Sequence, residues 1–203
     1  MDAARFFEIR NKTFASEDLG HVMMPWYRKM TMPSQQRIDS AKKAAVLLHV
    51  FQGERDLELL FMRRPAYDGT HGGQVSFPGG KVEPSDFNFQ ATALREAEEE
   101  VGLSPLQVDV IRPLSPLYIP PSDFMVHPYL GYGEMRPELV LDPKEVAHTF
   151  SIPLDALCSD DLVGETTVET KMGHMKVPAY HWEGEVIWGA TAMMTAEFIA
   201  LLR

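Results

Sequence analysis

Cysteine is nearly absent from this sequence, which has one, Cys158, among its 203 residues. No disulfide can therefore form within the chain, and this composition favours a reducing compartment. Long apolar runs are lacking too: residues 44–50 are interrupted by His49 and are too short to span a bilayer. The first ten residues carry charges where a signal peptide has its apolar core. We expect a cytoplasmic protein that does not insert into membranes.

Basic residues are outnumbered, with 19 Lys and Arg against 29 Asp and Glu and a formal net charge of −10. This balance argues against a nucleic acid backbone or an anionic membrane as a standing partner. It does not exclude a small nucleotide, because a bound metal ion and a few local Arg or Lys residues can override the global sign. We therefore expect a small-molecule partner and no nucleic acid.

Hydrophobic residues make up 45% of the chain, which is enough to bury a core. We expect one domain, residues 43–203, preceded by a helical extension and connector, residues 1–42. Apolar residues at roughly helical spacing predict an amphipathic helix in residues 1–20. Residues 20–40 are rich in Met and broken by Pro, which is typical of a packed connector, with a flap over a ligand as the alternative. These methionines would contact the chain's own core or a second subunit of a homodimer.

The pattern of apolar residues predicts strands on both sides of a central helix. Residues 44–51 and 57–62 predict a hairpin. The other predicted elements are strands 108–114, 126–132 and 150–153, a helical turn at 154–157, a hairpin of 166–174 and 177–182 that turns at 172–174, and a final helix at 190–202. This order predicts an α/β fold in which helices cover both faces of a mixed sheet.

The central helix is predicted at residues 91–101, which are mostly strong helix formers, and Gly102 is placed to end it with a left-handed cap. One face of this helix is apolar, and the other carries Glu96, Glu99 and Glu100. Clustered carboxylates repel one another unless a cation sits among them, and hard oxygen ligands suit Mg²⁺ or Mn²⁺. A solvated acidic face is the alternative.

A glycine turn precedes this helix, because strand-like residues 74–77 lead into Pro-Gly-Gly at 78–80. In this context the sequence resembles the Nudix hydrolase family, whose box reads G-x5-E-x7-R-E-U-x-E-E-x-G-U, where U is a bulky aliphatic residue. Residues 95–103 fit the second half of the box, with Ala97 as a small first U. The first half departs: Asp86 stands at the first Glu, and the spacing before the box arginine is one residue longer.

A box of this longer form, with Asp at that position, resembles the coenzyme A pyrophosphatase branch of the family. Residues 59–64 and 71–80 resemble the motif that accompanies the box in that branch, and residues 187–192 resemble a further stretch of it. The branch also has an arginine in the loop between the first two segments, whereas residues 67–70 here include none. The resemblance covers roughly residues 43–203.

The resemblance implies a Nudix-type α/β/α sandwich and metal-dependent hydrolysis of a diphosphate bond. Such a reaction needs charge neutralised on the phosphate oxygens and a water aimed at one phosphorus. The implied metal, Mg²⁺ or Mn²⁺, would be held by Glu96, Glu99, Glu100 and the carbonyl of Gly79. Arg95 is placed to orient Glu99 one turn on and belongs to the same catalytic set.

The general base is open between two carboxylates. Glu96 of the box is one candidate. Glu145 is the other, because residues 142–146 resemble the later loop from which many family members take a base. For Glu145, a surface position at the start of a turn is the alternative.

Five residues are candidates for contact with the substrate. Arg63 or Arg64 would supply the charge for a phosphate, with a surface arginine at a strand end as the alternative. Gly73 and Gln74 belong to the glycine-rich stretch before the turn. Phe124 is placed to stack on an adenine, with a core aromatic as the alternative.

Two other residues are expected to have no chemical role. His71 has no second His at ligand spacing, so we expect it to be structural or exposed. Trp188 is expected to fill the core, where the small residues after it let the last helix start close to the sheet.

The sequence thus predicts hydrolysis of coenzyme A or an acyl derivative to 3′,5′-ADP and phosphopantetheine or its acyl form. The missing loop arginine favours an alternative, a Nudix hydrolase of another nucleoside diphosphate derivative such as a nucleotide sugar or a dinucleotide. A third interpretation is a module that senses such a ligand without cleaving it. The intact acidic set counts against that third interpretation.

Overall fold

The structure is a computed structural model that describes residues 6–12, 23–25, 33–66, 72–170 and 173–203. At its centre two strands, β1 (Lys42–Gln52) and β7 (Phe124–Gly133), pair in parallel along their whole length. Both faces of β1 are covered, which explains why residues 44–51 are apolar at every position except His49 instead of alternating with polar residues.

Eight strands of the described chain form the main sheet. β2 (Leu57–Arg63) follows β1 through a hairpin that sets Val50 opposite Leu59. The other strands are β3 (Val75–Ser76), β4 (Gly79–Lys81), β5 (Asp109–Pro113), β6 (Leu117–Ile119) and β8 (His148–Pro153). Their pairings are antiparallel, in contrast to β1 with β7, so the sheet is mixed as predicted.

Helices cover the two faces of this sheet. The described α-helices are α1 (Gln35–Ser40), α2 (Phe89–Val101), α3 (Leu154–Leu157) and α4 (Gly189–Leu202). α2 packs Ala97 against Ala45 and Leu47 of β1, whereas α4 packs Phe198 into the larger core on the opposite face, with Leu48 of β1. The predicted α/β/α sandwich is confirmed. Of the described helices, none has the length and apolar content that crossing a bilayer requires.

α2, the helix that carries the acidic residues, has a cap at each end. The side chain of Asn88 accepts a hydrogen bond from the N–H of Ala91 at 2.8 Å. At the other end Gly102 adopts φ 71°, and its N–H donates to the carbonyls of Ala97 and Glu98. The predicted left-handed cap is confirmed, and the helix starts earlier than predicted because Asn88 supplies the first cap.

A second sheet contains three strands, β9 (Val163–Thr170), β10 (Gly173–Trp182) and β11 (Glu185–Trp188). Thr170 pairs with Gly173, so β10 already begins where the turn at 172–174 was predicted, and that prediction is wrong. Gly173 adopts φ 100°, a conformation that glycine tolerates at the start of a strand. β6 and β11 were not predicted, because strands this short give no readable alternation.

Part of the N-terminal extension packs on the main core. The 3₁₀ turn Glu8–Asn11 buries Ile9, and the ring of Phe6 lies 5.7 Å from that of Tyr132. Met23 is also fully buried. Within the predicted connector, residues 35–40 form α1, and residues 1–5, 13–22 and 26–32 of the extension lie outside the described residues.

Candidate active site

The glycine turn of the box, predicted at residues 78–80, lies directly on the central strand, and its last two residues already belong to strand β4. β4 sets Gly79 opposite Val46 and Gly80 opposite Ala45 of β1. Gly79 has φ 153°, and a Cβ on it would overlap the backbone of these β1 residues. A Cβ on Gly80 would instead overlap the carboxylate of Glu96 on α2. Glycine is therefore needed at position 79, where a Cβ would meet backbone, whereas at position 80 a Cβ would displace the carboxylate of Glu96.

Glu100 joins the helix to this turn. Its side chain is 2% exposed and accepts a hydrogen bond from the N–H of Gly79 at 2.7 Å. The guanidinium of Arg64 lies 3.4 Å from the same carboxylate and 3.5 Å from the Gly79 carbonyl. Burial raises the pKa of Glu100 to about 8, opposed by Arg64 and the Gly79 N–H, and the charges of Glu145 and Glu96 raise it further. A cation beside Glu100 would favour its ionised form.

Glu96 lies one helical turn earlier, above Gly80. Burial raises the pKa of Glu96, and the negative charges of Glu99 and Glu145 act in the same direction, whereas Arg95 opposes them. The structure thus brings the predicted carboxylates together as a mutually repelling group.

Arg95 is the most connected side chain of the site. It donates to both carboxylate oxygens of Asp86, at 2.9 and 3.0 Å, and to the carbonyl of Lys81 at 3.1 Å. Its third nitrogen lies 2.9 Å from both Glu96 and Glu99. The pKa of Asp86 is strongly lowered, chiefly by these bonds from Arg95. Asp86, at the position of the first box Glu, therefore fixes the orienting arginine.

The donors fit a hard cation, although their present arrangement does not enclose one. Across the described parts of the chain, no three His, Cys, Asp or Glu side chains stand close enough to hold a metal ion. Glu99 is 60% exposed, and both it and Glu96 are turned towards Arg95. Oxygen donors of this kind nevertheless suit Mg²⁺ or Mn²⁺. Burial is the main cause of the raised pKa values of Glu96 and Glu100, and a cation beside them would favour their ionised forms.

Glu145 is brought to the same site by the loop before β8. The N–H of Asp142 donates to the carbonyl of Glu100 at 2.9 Å, which ties this loop to the end of α2. The side chain of Glu145 is exposed, and its charge reaches both Glu96 and Glu100. Both candidates for the general base therefore lie at one site, and the choice between them stays open.

A cavity of about 410 Å³ opens on the other side of the glycine turn, between the main sheet and the start of α4. Three of the five predicted substrate residues line it, Arg64, Gln74 and Phe124. Much of the rest of the wall is apolar, including Val46 and Met194. Arg64 and the glycine turn thus belong both to the acidic site and to this cavity.

The other two predicted substrate residues lie outside the cavity wall. Arg63 donates to Glu185 at 2.6 Å, and Glu185 also lies 2.8 Å from Nε2 of His148. Gly73 has φ 67° and donates its N–H to the carbonyl of Pro65 at 2.9 Å. His71 and the loop without the expected arginine, 67–70, lie outside the described residues.

Several residues of the cavity wall were not predicted from the sequence, or were predicted elsewhere. Trp188 was expected in the core, but it is half-buried and lines the cavity. It precedes Gly189, the first residue of α4, and so lies at the mouth of the helix instead of inside it. Ser76 also lines it, and its hydroxyl has no hydrogen-bond partner among the described residues. Lys81 could have been found from strand alternation, since it lies two residues after Gly79 and so faces the same side.

Comparison with known proteins agrees with this geometry. The family model described as NUDIX domain matches residues 41–170. A relative from Photorhabdus laumondii, named uncharacterized Nudix hydrolase NudL, is 36% identical over 160 residues that cover 79% of this chain and 84% of the relative. Nudix hydrolase 15, mitochondrial, of Arabidopsis thaliana is 38% identical over 59% of this chain, which spans less than half of that protein, 43%.

Solved structures show the same fold. A MutT/nudix family protein from Enterococcus faecalis matches with a TM-score of 0.53 at 13% identity, over 100% of this chain and 75% of that one. The MutT protein from Methanosarcina mazei Go1 matches with a TM-score of 0.52 at 17% identity, over 78% of this chain and 92% of that one. Together, the box geometry, the family model and the bacterial relative show that this chain belongs to the Nudix hydrolase family.

Proposed function

We propose that this Nudix hydrolase cleaves the diphosphate bond of coenzyme A or an acyl-coenzyme A, giving 3′,5′-ADP and phosphopantetheine or its acyl form. The observation that carries the proposal is the shared glycine turn. Gly79 and Gly80 border both the carboxylate group and the largely apolar cavity. A substrate whose diphosphate lies at this turn would extend one flanking group into the cavity, as a long nucleotide derivative requires.

Nudix enzymes generally use divalent metal ions, and here Glu96, Glu99, Glu100 and the Gly79 carbonyl would hold Mg²⁺ or Mn²⁺. When bound, the metal would neutralise diphosphate charge and lower the pKa of a bound water. A metal ion held beside Glu100 would favour its ionised form, because it would offset the burial that raises the pKa of this carboxyl. Arg95 holds Glu99 and Glu96 at one nitrogen while Asp86 fixes the guanidinium.

Glu145 or Glu96 would accept the proton from the attacking water. Glu145 is exposed and Glu96 is partly covered, so a water reaches Glu145 without displacing protein atoms. Arg64 would contact a phosphate oxygen of the substrate, since its hydrogen bonds to Glu100 and Gly79 are long, at 3.4 and 3.5 Å, and cost little to exchange.

A second substrate class is another nucleoside diphosphate derivative, such as a nucleotide sugar or a dinucleotide. It is favoured by the absence of an arginine in residues 67–70 and by the engagement of Arg63 with Glu185. Of the two arginines predicted to contact substrate, Arg64 lines the cavity and Arg63 does not.

Product analysis tests the proposal. The purified chain would be incubated with coenzyme A, an acyl-coenzyme A, nucleotide sugars and dinucleotides, each with and without Mg²⁺ or Mn²⁺. We expect coenzyme A to give 3′,5′-ADP and phosphopantetheine only when Mg²⁺ or Mn²⁺ is present. Cleavage restricted to the other diphosphates would instead support the second class, and binding of coenzyme A without any cleavage would support a sensing role.

Two further features of the proposed enzyme are a reducing, cytoplasmic location and a homodimer. The single Cys158 supports the first. The second is one of two arrangements open to the Met-rich connector, whose methionines would contact a second subunit or, as Met23 does, the chain's own core.

A further inference from the structure

The cavity has a cationic end beside the glycine turn. Lys81 directly follows Gly80 and pairs with Ala44 of β1, and both Lys81 and Ala44 line the cavity. Residues opposite each other on antiparallel strands point to the same face, so the Lys81 side chain lies on the cavity face. Its carbonyl accepts a hydrogen bond from Arg95 at 3.1 Å, which fixes the Lys81 backbone to the catalytic helix.

The ammonium of Lys81 has no carboxylate partner among the described residues, although the chain has an acidic excess. A lysine held in this orientation beside an apolar wall is available to an anionic group of a ligand. The diphosphate itself would be contacted by Arg64, whose guanidinium lies 3.5 Å from the Gly79 carbonyl. Lys81 is thus positioned for a second anionic group, further from the scissile bond.

Lys42 adds a second cation at this end. It lies two residues before Ala44, on the same face of β1, and its Nζ is 5.6 Å from the ring centroid of Phe124, a cavity residue. Asp123 is close enough to interact with Lys42, but its carboxylate already accepts hydrogen bonds from Arg37 at 3.0 Å and Tyr118 at 2.7 Å. Lys42 therefore keeps charge available for a ligand.

We propose that Lys81, assisted by Lys42, binds a phosphomonoester that the substrate carries in addition to its diphosphate, and that this contact determines specificity. For the proposed substrate this group is the 3′-phosphate of the adenosine, so the inference rests on the proposed function. Lys81 is the residue after Gly80, about 3.3 Å along the strand, and its flexible side chain extends this reach. The ribose places several bonds between the 3′-phosphorus and the nearest phosphorus of the diphosphate, a separation that this side chain can span. A substrate with a free 3′-hydroxyl has no charge for the ammonium to bind.

Nucleotide binding tests the contact without turnover. Affinities of 3′,5′-ADP and 5′-AMP, in Mg²⁺, would be measured by calorimetry for the unchanged chain, Lys81→Met, Lys42→Met and the control Lys176→Met on the second sheet. We expect 3′,5′-ADP to bind at least about tenfold more tightly than 5′-AMP. Lys81→Met should remove most of that preference, Lys42→Met should reduce it by a few-fold, and Lys176→Met should keep it.

Equal affinity for the two nucleotides in the unchanged chain, no binding of either, or a preference that survives Lys81→Met would overturn the proposal. A parallel comparison of kcat/KM for coenzyme A and 3′-dephospho-coenzyme A separates it from the proposed function. Equal kcat/KM for the two substrates would show that Lys81 does not determine specificity, while the proposed hydrolase activity would be retained. Failure to cleave either, with 3′,5′-ADP still preferred through Lys81, would reject the reaction and keep the binding site.

Discussion

The two faces of the main sheet at the glycine turn differ in how firmly their side chains are fixed. On the α2 face, Arg95 connects Asp86, Glu96, Glu99 and the Lys81 carbonyl at 2.9 to 3.1 Å. On the α4 face, the cavity wall is largely apolar, with Val46, Phe124 and Met194 among its residues. The contrast indicates that chemistry is built into the α2 face, whereas substrate selection is left to the α4 face.

The largest effect is expected from neutralising Glu100, the most buried carboxylate of the site on the α2 face. Glu100→Gln should lower kcat by on the order of 10³, the size seen when one group of a preorganised electrostatic set is lost. Glu98→Gln is the matched control, because Glu98 is exposed on the same helix. Metal-dependent turnover and thermal unfolding would be measured for both variants. Near-normal turnover in Glu100→Gln with an intact fold would remove Glu100 from the site.

The α2 face should also be the pH-sensitive one, because β1 buries His49 on that side. His49 is 1% exposed, and burial lowers its pKa to about 4. Between about pH 6.5 and 4, His49 binds a proton in the unfolded chain but not in the folded chain. The stability that this residue contributes above about pH 6.5 is therefore lost as the pH falls towards 4. A shift of this size corresponds to about 3 kcal/mol.

Urea denaturation of the unchanged chain and His49→Leu at pH 7.5 and 4.5 would measure this contribution. Leucine is a suitable replacement, since Nδ1 of His49 has no hydrogen-bond partner among the described residues. We expect a smaller loss of stability at pH 4.5 in His49→Leu than in the exposed-site control His174→Leu. The same loss in both would show that other groups carry the acid sensitivity.

A substitution in the loop before β8 tests whether Glu145 or Glu96 acts as the general base. Glu145→Gln should lower kcat by about 10², within the range for a general base, with little change in KM. Glu138→Gln, an exposed residue upstream in the same connection, is the control. A loss of less than about tenfold would make a general-base role untenable for Glu145 and leave Glu96 as the remaining candidate.

The smallest effect is expected on the α4 face. Phe124→Leu should raise KM about tenfold and leave kcat within about twofold, because a cavity wall contributes binding that the ground state and transition state share. Phe87→Leu is the control, since Phe87 is 94% exposed and does not line the cavity. Steady-state kinetics with coenzyme A would measure both, and a fall in kcat at constant KM would contradict the separation of the two faces.

Sequence reasoning succeeded where a local pattern repeats over many residues. The strands at β1 and β2, the helix α2 and the cap at Gly102 follow from periodicity and glycine conformation. It found the β9–β10 hairpin but misplaced its turn, because Gly173, taken for a turn residue, pairs with Thr170. In the site, the carboxylates on α2 were readable because one helix presents them together.

What the sequence by itself determined is the family, the sandwich of helices on a mixed sheet, and the acidic set on one helix. The tertiary structure alone decided which predicted arginine meets the site. Arg63 and Arg64 are neighbours, yet one turns to Glu185 and the other to Glu100 and the cavity. Their fates differ because successive residues at a strand end point to opposite sides, and the partners on each side come from distant parts of the chain.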